Sequence, residues 1–306
     1  MTAPKAVDVL VIGAGPAGLT AATYLARFRR SVVVADGGEP RANWIPLSHN
    51  MPGFPEGVTG GTILGRMRSQ AEEYGAVIAS AQVTALEQDG DGFIARTQAG
   101  PAWRARAVLM ATGVVDHHPN LPEVEDAIRR SLVRICPICD GYEAIGKTVA
   151  VIGRDDLGAR EAAFIRTYSD AVTLIHAGAP ASLTARDELA RLGIDLIEAP
   201  IDRVRIEDDR VSAVCWNGEW KAFDMVYSAL GVTPQVDLAL QAGCALVEDG
   251  RLVVDEHQQT SVQGLYAAGD VVRGLNQIAT ATSEAAIAAT AIHNRLRQVE
   301  GLTIAG

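Results

Sequence analysis

Two stretches of the chain show the same order of hydrophobic and polar positions, 140 residues apart. In residues 7–36 and again in residues 147–176, an apolar run ends in a glycine turn, a helix-period segment follows, and a second apolar run closes the stretch. The apolar runs predict buried strands, and the segment between them predicts a crossover helix. The repeat therefore predicts two parallel β-α-β units of the doubly wound kind.

Other patterned segments predict the rest of an α/β fold with two Rossmann-like domains. Residues 77–86 and 93–97 alternate on either side of a turn at residues 89–92, which predicts an antiparallel hairpin. Two more buried strands and a long helix are predicted at 107–113, 225–231 and 277–296.

The order of these segments predicts that the second domain is inserted into the first. If the last strand and helix return to the first domain, that domain consists of residues 1–116 and 235–306, and the insertion consists of residues 117–234. Such insertions are tolerated where both junctions lie at the surface.

Composition excludes several classes of protein. The chain has 306 residues, 48% of them hydrophobic, and a net charge of −10, which gives no electrostatic footprint for nucleic acid or an anionic membrane. The N-terminal apolar run is broken by Asp8 and by glycines, and no window offers the ~18 apolar residues of a spanning helix. We therefore expect a cytoplasmic protein without a membrane partner.

The glycine turn of the first repeat has the chemistry of a dinucleotide site. Gly13, Gly15 and Gly18 form G-x-G-x-x-G between a predicted strand and helix, and Asp36 ends the next strand. The first glycine allows the turn, the second lets backbone approach a diphosphate, and the third lets helix and strand pack. The Asp36 carboxylate can accept hydrogen bonds from ribose hydroxyls.

The corresponding turn of the second repeat keeps the architecture and loses this chemistry. It reads Gly153-Arg154-Asp155-Asp156-Leu157-Gly158, so an aspartate replaces the middle glycine. A carboxylate ~4 Å from a phosphate charge costs ~1 kcal/mol in water and ~4 kcal/mol at an effective dielectric constant near 20. We interpret this turn as a degenerate site, in which Arg154 offers partial neutralisation of a phosphate.

Two cysteines before the second repeat predict redox chemistry. Cys136 and Cys139 form C-x-x-C, a spacing at which two sulfurs bridge easily. A zinc site would need two more ligands, and Cys215 and Cys244 are distant and solitary, so they are interpreted as buried thiols and no metal is expected. Two arginine clusters are predicted to be solvent-exposed, and are the only basic clusters available to an acidic redox partner: Arg27, Arg29 and Arg30, and Arg129, Arg130 and Arg134.

With these motifs in order, the chain resembles the low-molecular-weight thioredoxin reductases, which are two-domain FAD enzymes, over essentially its whole length. The resemblance rests on residues 11–18 (VIGAGPAG), 51–55 (MPGFP), 111–113 (ATG), 136–141 (CPICDG), 147–153 (KTVAVIG), Gly231 with Pro234, 264–270 (GLYAAGD) and Gln277. It implies an FAD-binding first domain and an NAD(P)-binding-like second domain that carries the C-x-x-C.

The resemblance also implies roles for individual residues. Cys139 is the sulfur nearer the flavin, Cys136 exchanges with substrate, and Asp140 donates or accepts a proton. Asp270 lies near the ribityl-diphosphate linkage, and Gln277 and Ile278 present backbone to the flavin ring. The full cofactor-binding set implied in this way is Gly13, Gly15, Pro16, Ala17, Gly18, Asp36, Ala111, Thr112, Gly113, Gly269, Asp270, Gln277 and Ile278.

The chain departs from the family at the nicotinamide nucleotide site. The family has a full glycine turn and a His-Arg-Arg run, whereas this sequence has Arg154-Asp155-Asp156 and His176-Ala177-Gly178. We therefore predict little or no reduction by NADPH, and weak use of NADH at most. Relatives that take electrons from ferredoxin or pass them to oxygen are similar here, although dithiol oxidases of this fold often have histidine where this chain has Asp140.

The sequence thus favours an FAD-dependent dithiol/disulfide oxidoreductase, acting on a thioredoxin-like protein or on a small dithiol or disulfide. Three alternatives stay open: an NAD(P)H-dependent thioredoxin reductase, a dithiol oxidase that uses oxygen, and a non-enzymatic flavin electron carrier. Ferredoxin is a possible donor, and the resemblance predicts a homodimer.

Overall fold

The computed structural model describes residues 4–119, 124–199, 201–207 and 210–304. By its internal contacts the chain divides into two compact units. Unit 1 comprises Met1–Asn43, Gly60–Val115 and Thr233–Gly306, and unit 2 comprises Trp44–Thr59 and Asp116–Val232. These units differ from the predicted domains mainly in residues 44–59, which group with the second unit.

Strands and helices alternate through much of the described chain. The strands are β1 (Lys5–Ile12), β2 (Val32–Asp36), β3 (Val77–Ser80), β4 (Val83–Asp89), β5 (Gly92–Thr97), β6 (Trp103–Met110), β7 (Val114–Asp116), β8 (Thr148–Gly153), β9 (Ala171–His176), β10 (Asp195–Glu198), β11 (Arg203–Glu207), β12 (Arg210–Trp216), β13 (Glu219–Ala222), β14 (Met225–Ala229), β15 (Val232–Pro234) and β16 (Leu265–Ala267). The helices are α1 (Pro16–Arg27), α2 (Gly60–Glu73), α3 (Val124–Arg129), α4 (Pro137–Asp140), α5 (Asp155–Ile165), α6 (Arg186–Arg191), α7 (Asp237–Gln241) and α8 (Ile278–Val299).

Unit 1 is built on a seven-stranded sheet in the order β3-β2-β1-β6-β5-β4, with β16 also paired to β6. Strands β3, β2, β1, β6 and β16 are parallel, whereas β4, β5 and the start of β6 are antiparallel. The β4–β5 pairing confirms the predicted hairpin. Val9, Leu10 and Val11 are fully buried in β1, as expected for a strand covered on both faces.

Unit 2 contains a four-stranded parallel sheet in the order β10-β9-β8-β14, and an antiparallel sheet in the order β11-β12-β13. Helix α5 packs on the parallel sheet through Ala159, Ala162 and Ile165, which lie in one core with Val149 and Leu174. Where the chain passes between the units, β7 and β15 form a two-stranded sheet.

The predicted repeat is confirmed as two parallel β-α-β units, β1-α1-β2 and β8-α5-β9. Each begins with a central strand of its sheet, so the turn after that strand lies at the carboxyl edge, where α/β proteins bind ligands. Among the described residues, no helix combines the length and apolar character needed to span a membrane.

Candidate functional site

The glycine turn of unit 1 excludes side chains at two of its three glycines. Gly13 has φ +112°, and a Cβ atom there would lie 2.2 Å from the Ala111 carbonyl oxygen. A Cβ atom on Gly18 would lie 1.9 Å from the Gly13 carbonyl oxygen. Both glycines are therefore required by the packing of β1, α1 and the loop at Ala111, whether or not a ligand is bound.

Gly15 differs from these two glycines, because the packing of the protein itself does not exclude a side chain there. It has an ordinary φ of −76° as the N-cap of α1, and the atom nearest to an added Cβ is the Cβ of Pro40, 4.0 Å away. No side chain caps this helix, and Pro16 occupies its first turn, followed by the buried Ala17. Open space beside uncapped helical amides fits the diphosphate of FAD, which a helix N-terminus stabilises.

The acidic residues predicted at this site are both engaged by arginines. Asp36 lies at the end of β2, where Oδ1 accepts a hydrogen bond from the Gly38 amide at 3.2 Å and Oδ2 contacts Arg68. Asp270 Oδ2 lies 3.5 Å from Nη1 of Arg41. Neither arginine could be predicted from the sequence, because each is far along the chain from the aspartate that it contacts.

A buried glutamate on α8 organises the turn at Gly269 and Asp270. Glu284, only 4% exposed, accepts a hydrogen bond from the Gly269 amide at 2.8 Å, and its other oxygen accepts one from Arg273 at 2.6 Å. Burial raises the pKa of Glu284 against the opposing effect of these hydrogen bonds. Its position among the buried alanines of α8 is the signal that could have identified it.

The remaining predicted cofactor residues follow β6 or begin α8. Ala111 is buried, Gly113 has φ +68°, and Thr112 exchanges hydrogen bonds of 2.6 and 2.7 Å with Gln235. Gln277 is the N-cap of α8, which begins at Ile278. The structure thus brings the predicted cofactor set together in unit 1, and these residues fit FAD.

The turn of unit 2 is shorter than that of unit 1. One residue, Arg154, links β8 to α5, whereas residues 13–15 link β1 to α1. Asp155, which the repeat aligns with Gly15, is the first residue of its helix and has φ +51°. A non-glycine residue in this left-handed conformation costs about 1 kcal/mol.

Side chains of unit 2 bind the backbone and side chains of this second turn. The Asp155 amide donates a hydrogen bond of 3.0 Å to Nε2 of His176, whose ring is fully buried. Asp156 accepts hydrogen bonds from the amide and hydroxyl of Thr184 at 2.7 and 2.5 Å, and these hydrogen bonds lower its pKa. The guanidinium of Arg154 lies 3.2 Å from Nδ1 of His117.

Cys136 and Cys139 form a disulfide in unit 2. Cys136 is the N-cap of the short helix α4, and the Cys139 amide donates to its carbonyl oxygen at 2.9 Å. Both cysteines are half-buried, while Ile138 between them is 50% exposed. Cys215 and Cys244 are free and buried, which confirms their interpretation as ordinary thiols.

Asp140, directly after the second cysteine, is held by two partners. Its Oδ2 accepts a hydrogen bond from Arg134 at 2.6 Å, and its Oδ1 accepts one from the Tyr227 hydroxyl at 3.0 Å. Burial raises the pKa of Asp140, while Arg134 and Tyr227 oppose that rise. The prediction that Arg134 is a solvated surface residue is wrong, since its side chain is only 24% exposed and ion-paired.

The first arginine cluster needs a similar correction at Arg30. Its side chain is 10% exposed, forms a 2.6 Å ion pair with Glu300, and donates to His293 at 3.1 Å. Arg30 therefore joins the segment after α1 to the C-terminal end of α8 and is not a solvated charge.

The sequence matches the family of pyridine nucleotide-disulphide oxidoreductases over residues 7–285. Thioredoxin reductase from Treponema pallidum (strain Nichols) is 33% identical over 301 residues, which cover 93% of this chain and 95% of that protein. Thioredoxin reductase from Listeria innocua is 30% identical over 305 residues, 93% of this chain and 92% of that protein.

Solved structures show the same architecture. The crystal structure of HlmI has a TM-score of 0.90 at 30% identity and covers 98% of this chain and 96% of that one. The thioredoxin reductase of Streptococcus pyogenes MGAS5005 has a TM-score of 0.88 at 27% identity, with 97% and 100% of the two chains covered.

Proposed function

The chain belongs to the pyridine nucleotide-disulphide oxidoreductase family and is an FAD-dependent disulfide oxidoreductase, and on that basis we propose that it exchanges electrons between FAD, the Cys136–Cys139 pair and an external dithiol or disulfide, with little or no use of NADPH. The observation that carries the proposal is the Cys136–Cys139 disulfide. In the same unit, the turn between β8 and α5 is hydrogen-bonded to other side chains of that unit.

The proposed chemistry of the cysteines is thiol–disulfide exchange. In the reductive direction, the Cys136 thiolate attacks a substrate disulfide, forms a mixed disulfide and expels one substrate thiolate. Cys139 then attacks Cys136 in that mixed disulfide, which releases the second substrate thiolate and restores the Cys136–Cys139 bond. Two electrons pass to the substrate, and the reverse sequence oxidises an external dithiol. Bound FAD supplies a two-electron donor or acceptor for the cysteine pair.

The residues that would hold FAD belong to unit 1. We propose that the α1 amides after Gly15 bind the diphosphate, that Asp36 binds ribose hydroxyls, and that Asp270 lies near the ribityl-diphosphate linkage. Support comes from the open space at Gly15 and from the buried Glu284, which orients the Gly269 amide.

Four features of unit 2 support weak use of NADPH. The Asp155 amide, which would face a diphosphate, is already bonded to His176. Asp156 remains ionised through its hydrogen bonds to Thr184 and adds a negative charge. Arg154, the cation within the turn, lies against His117. Ala177 and Gly178 offer no positive charge to a 2′-phosphate.

Exposed apolar side chains near the cysteines support a partner that is protein-like or itself apolar. Ile138, Tyr142 and Ile145 are 50%, 74% and 54% exposed, on α4 or just after it. We propose that a thioredoxin-like protein or a small apolar dithiol or disulfide binds there.

An NADPH-dependent thioredoxin reductase is the second candidate, favoured by relatives at 30–33% identity that are named thioredoxin reductase. An anaerobic titration separates the two, with NADPH, NADH, reduced ferredoxin and dithiothreitol added in turn while flavin absorbance is followed. We expect the dithiol to bleach the flavin and NADPH to do so slowly or not at all. Rapid bleaching by NADPH with micromolar half-saturation would support the second candidate.

A further inference from the structure

Arg134 and Tyr227 are brought together by a backbone bridge in unit 2. Residues 134 and 227 form an isolated parallel β-bridge, in which the Arg134 amide donates to Val226 at 2.8 Å and its carbonyl accepts from Ser228 at 2.7 Å. The arginine that precedes the cysteines is thus held beside strand β14. Both side chains reach Asp140. The Tyr227 contact is not predictable from chain order, since 87 residues separate Tyr227 from Asp140.

The two contacts use both oxygens of the Asp140 carboxylate. Arg134 occupies Oδ2, while the Tyr227 hydroxyl donates to Oδ1 and also lies 3.1 Å from the Asp140 carbonyl oxygen. Tyr227 is fully buried, and burial together with the Asp140 charge raises the pKa of its phenol, so it stays a donor. Hydrogen bonds on both oxygens fix the orientation of the carboxylate.

We propose that Arg134 and Tyr227 are positioning residues that hold the Asp140 carboxylate for proton transfer during exchange at the Cys136–Cys139 disulfide. This inference rests on the proposed function, in which the disulfide reacts with external thiols. It assigns no direct contact with substrate to Arg134 or Tyr227.

The step transfers one proton and exchanges one disulfide bond. As an external thiol attacks Cys136, Asp140 accepts the thiol proton, a bond forms between the two sulfurs, and the Cys136–Cys139 bond breaks. The proton on Asp140 then passes to the Cys139 thiolate that leaves. One disulfide is consumed and one mixed disulfide is formed, so no further oxidant or reductant is required.

The charges around Asp140 determine how this step depends on pH. Arg134 lowers the proton affinity of the carboxylate and Tyr227 lowers it further, whereas burial and the neighbouring Glu143 raise it. Loss of Arg134 leaves Asp140 largely desolvated and next to Glu143, so its pKa rises and the base is lost at low pH. Loss of the Tyr227 hydroxyl acts in the same direction with a smaller effect.

The test measures the rate at which dithiothreitol opens the disulfide in the FAD-loaded protein without oxygen. Samples are quenched with acid, alkylated and analysed by mass spectrometry between pH 6 and pH 9, conditions chosen around the ionisation of a thiol. Each variant rate is divided by the wild-type rate at the same pH, which cancels ionisation of the reagent.

The variants are Arg134→Gln, Arg134→Lys and Tyr227→Phe. The matched controls are Arg130→Gln, which removes an exposed ion pair to Asp126, and Tyr266→Phe, which alters another buried tyrosine.

We expect the Arg134→Gln ratio to be about 0.1 or lower at pH 6 and to approach 1 at pH 9, where the attacking thiol ionises without a base. Tyr227→Phe should follow the same trend with a smaller loss, Arg134→Lys should recover much of the rate, and both controls should stay near 1. A ratio that is low but equal at every pH would indicate a merely structural role and overturn the inference.

Other results separate this inference from the proposed function. If Asp140→Asn slows exchange while Arg134→Gln and Tyr227→Phe match the wild type, the positioning role is wrong and the proposed function stands. If Asp140→Asn also matches the wild type, proton transfer by Asp140 is wrong. If Cys136→Ser still turns over a dithiol, the proposed function itself fails. Should Arg134→Gln not fold, Tyr227→Phe decides the question, because it keeps the buried ring.

Discussion

The two β-α-β units share one backbone plan and differ where a ligand would meet it. In both, two glycines allow close packing: a Cβ on Gly18 would lie 1.9 Å from the Gly13 carbonyl oxygen, and one on Gly158 would lie 2.8 Å from the Cα of Gly153. Between these glycines, Gly15 faces open space in unit 1. Its counterpart in unit 2, Asp155, begins helix α5, and the Asp155 amide donates a hydrogen bond to His176.

This difference separates glycines needed by the fold from glycines needed by a ligand. Packing glycines survive in both turns because a side chain would collide with backbone. The middle position has no such constraint, and in unit 2 it carries a carboxylate. Unit 2 thus retains the Rossmann-like sheet and carries the Cys136–Cys139 disulfide, while the backbone and side chains of its turn are hydrogen-bonded to other groups of the unit.

The largest expected effect tests the thiol chemistry of unit 2. Cys136→Ser or Cys139→Ser should each reduce disulfide exchange turnover at least about a thousandfold, because neither sulfur alone completes the cycle. Turnover of a small disulfide measures the loss, and Cys244→Ser, at a buried free thiol, is the control.

The same pair of variants tests the separate roles of the sulfurs. Cys136→Ser should show a long-wavelength charge-transfer band with oxidised flavin, and Cys139→Ser should not. The opposite pattern would reverse the two roles.

The next effect tests the open turn of unit 1. Gly15→Asp should weaken FAD binding at least about a hundredfold while the protein stays folded, since the side chain has room but its charge opposes a diphosphate. Flavin absorbance per polypeptide and far-UV circular dichroism measure the two properties. Gly61→Asp in α2, where an added Cβ meets no atom within 4 Å, should stay loaded. A yellow Gly15→Asp protein would show that this turn is not the FAD site.

A gain-of-function variant would make the turn of unit 2 more similar to that of unit 1. Asp155→Gly with Ala177→Arg should lower the half-saturating NADPH concentration about tenfold or more, because a carboxylate is lost and a cation gained. Gly178 is left unchanged, since its Cβ would lie 3.0 Å from Nε2 of His176. Stopped-flow bleaching of the flavin measures the change, and Asp155→Gly alone separates the effect of the added cation from that of the lost carboxylate and backbone strain. No change in the double variant would mean that other contacts keep the site closed.

The smallest effect concerns the helix of the second unit. Glu161 on α5 has a pKa raised to about 7 by burial and by the nearby Asp116 charge, and its Oε2 has no hydrogen-bond partner among the described residues. The folded state holds this proton more tightly than the unfolded state, so stability is lost as pH rises from the ordinary value of 4.5 towards 7.

Glu161→Gln should therefore raise the free energy of unfolding at pH 8 by about 1 kcal/mol, a gain that vanishes near pH 4. Urea unfolding at both pH values measures it. Glu188→Gln on α6, at an exposed position, should give no such pH-dependent gain. An equal change at both pH values would argue against a buried, protonated Glu161.

Patterns within the sequence determined the elements and much of the candidate chemistry. Runs of buried β-branched residues and the spacing of Gly13, Gly15 and Gly18 predicted β1, α1 and their turn. The repeat predicted β8-α5-β9, and the C-x-x-C predicted the Cys136–Cys139 disulfide. These features depend on neighbours a few residues apart, for which backbone sterics and hydrophobic periodicity are sufficient.

Only the tertiary structure decided which distant groups complete each site. The register of β14 beside Arg134 brings Tyr227 to Asp140, α8 brings Glu284 to Gly269, and the end of β9 brings His176 to Asp155. A charged residue has the same local sequence whether it faces water or a buried partner, so Arg134 was misassigned as a surface charge. Strand order, register and helix packing determine that choice, because they set which polar groups lose water together and must then bond to each other.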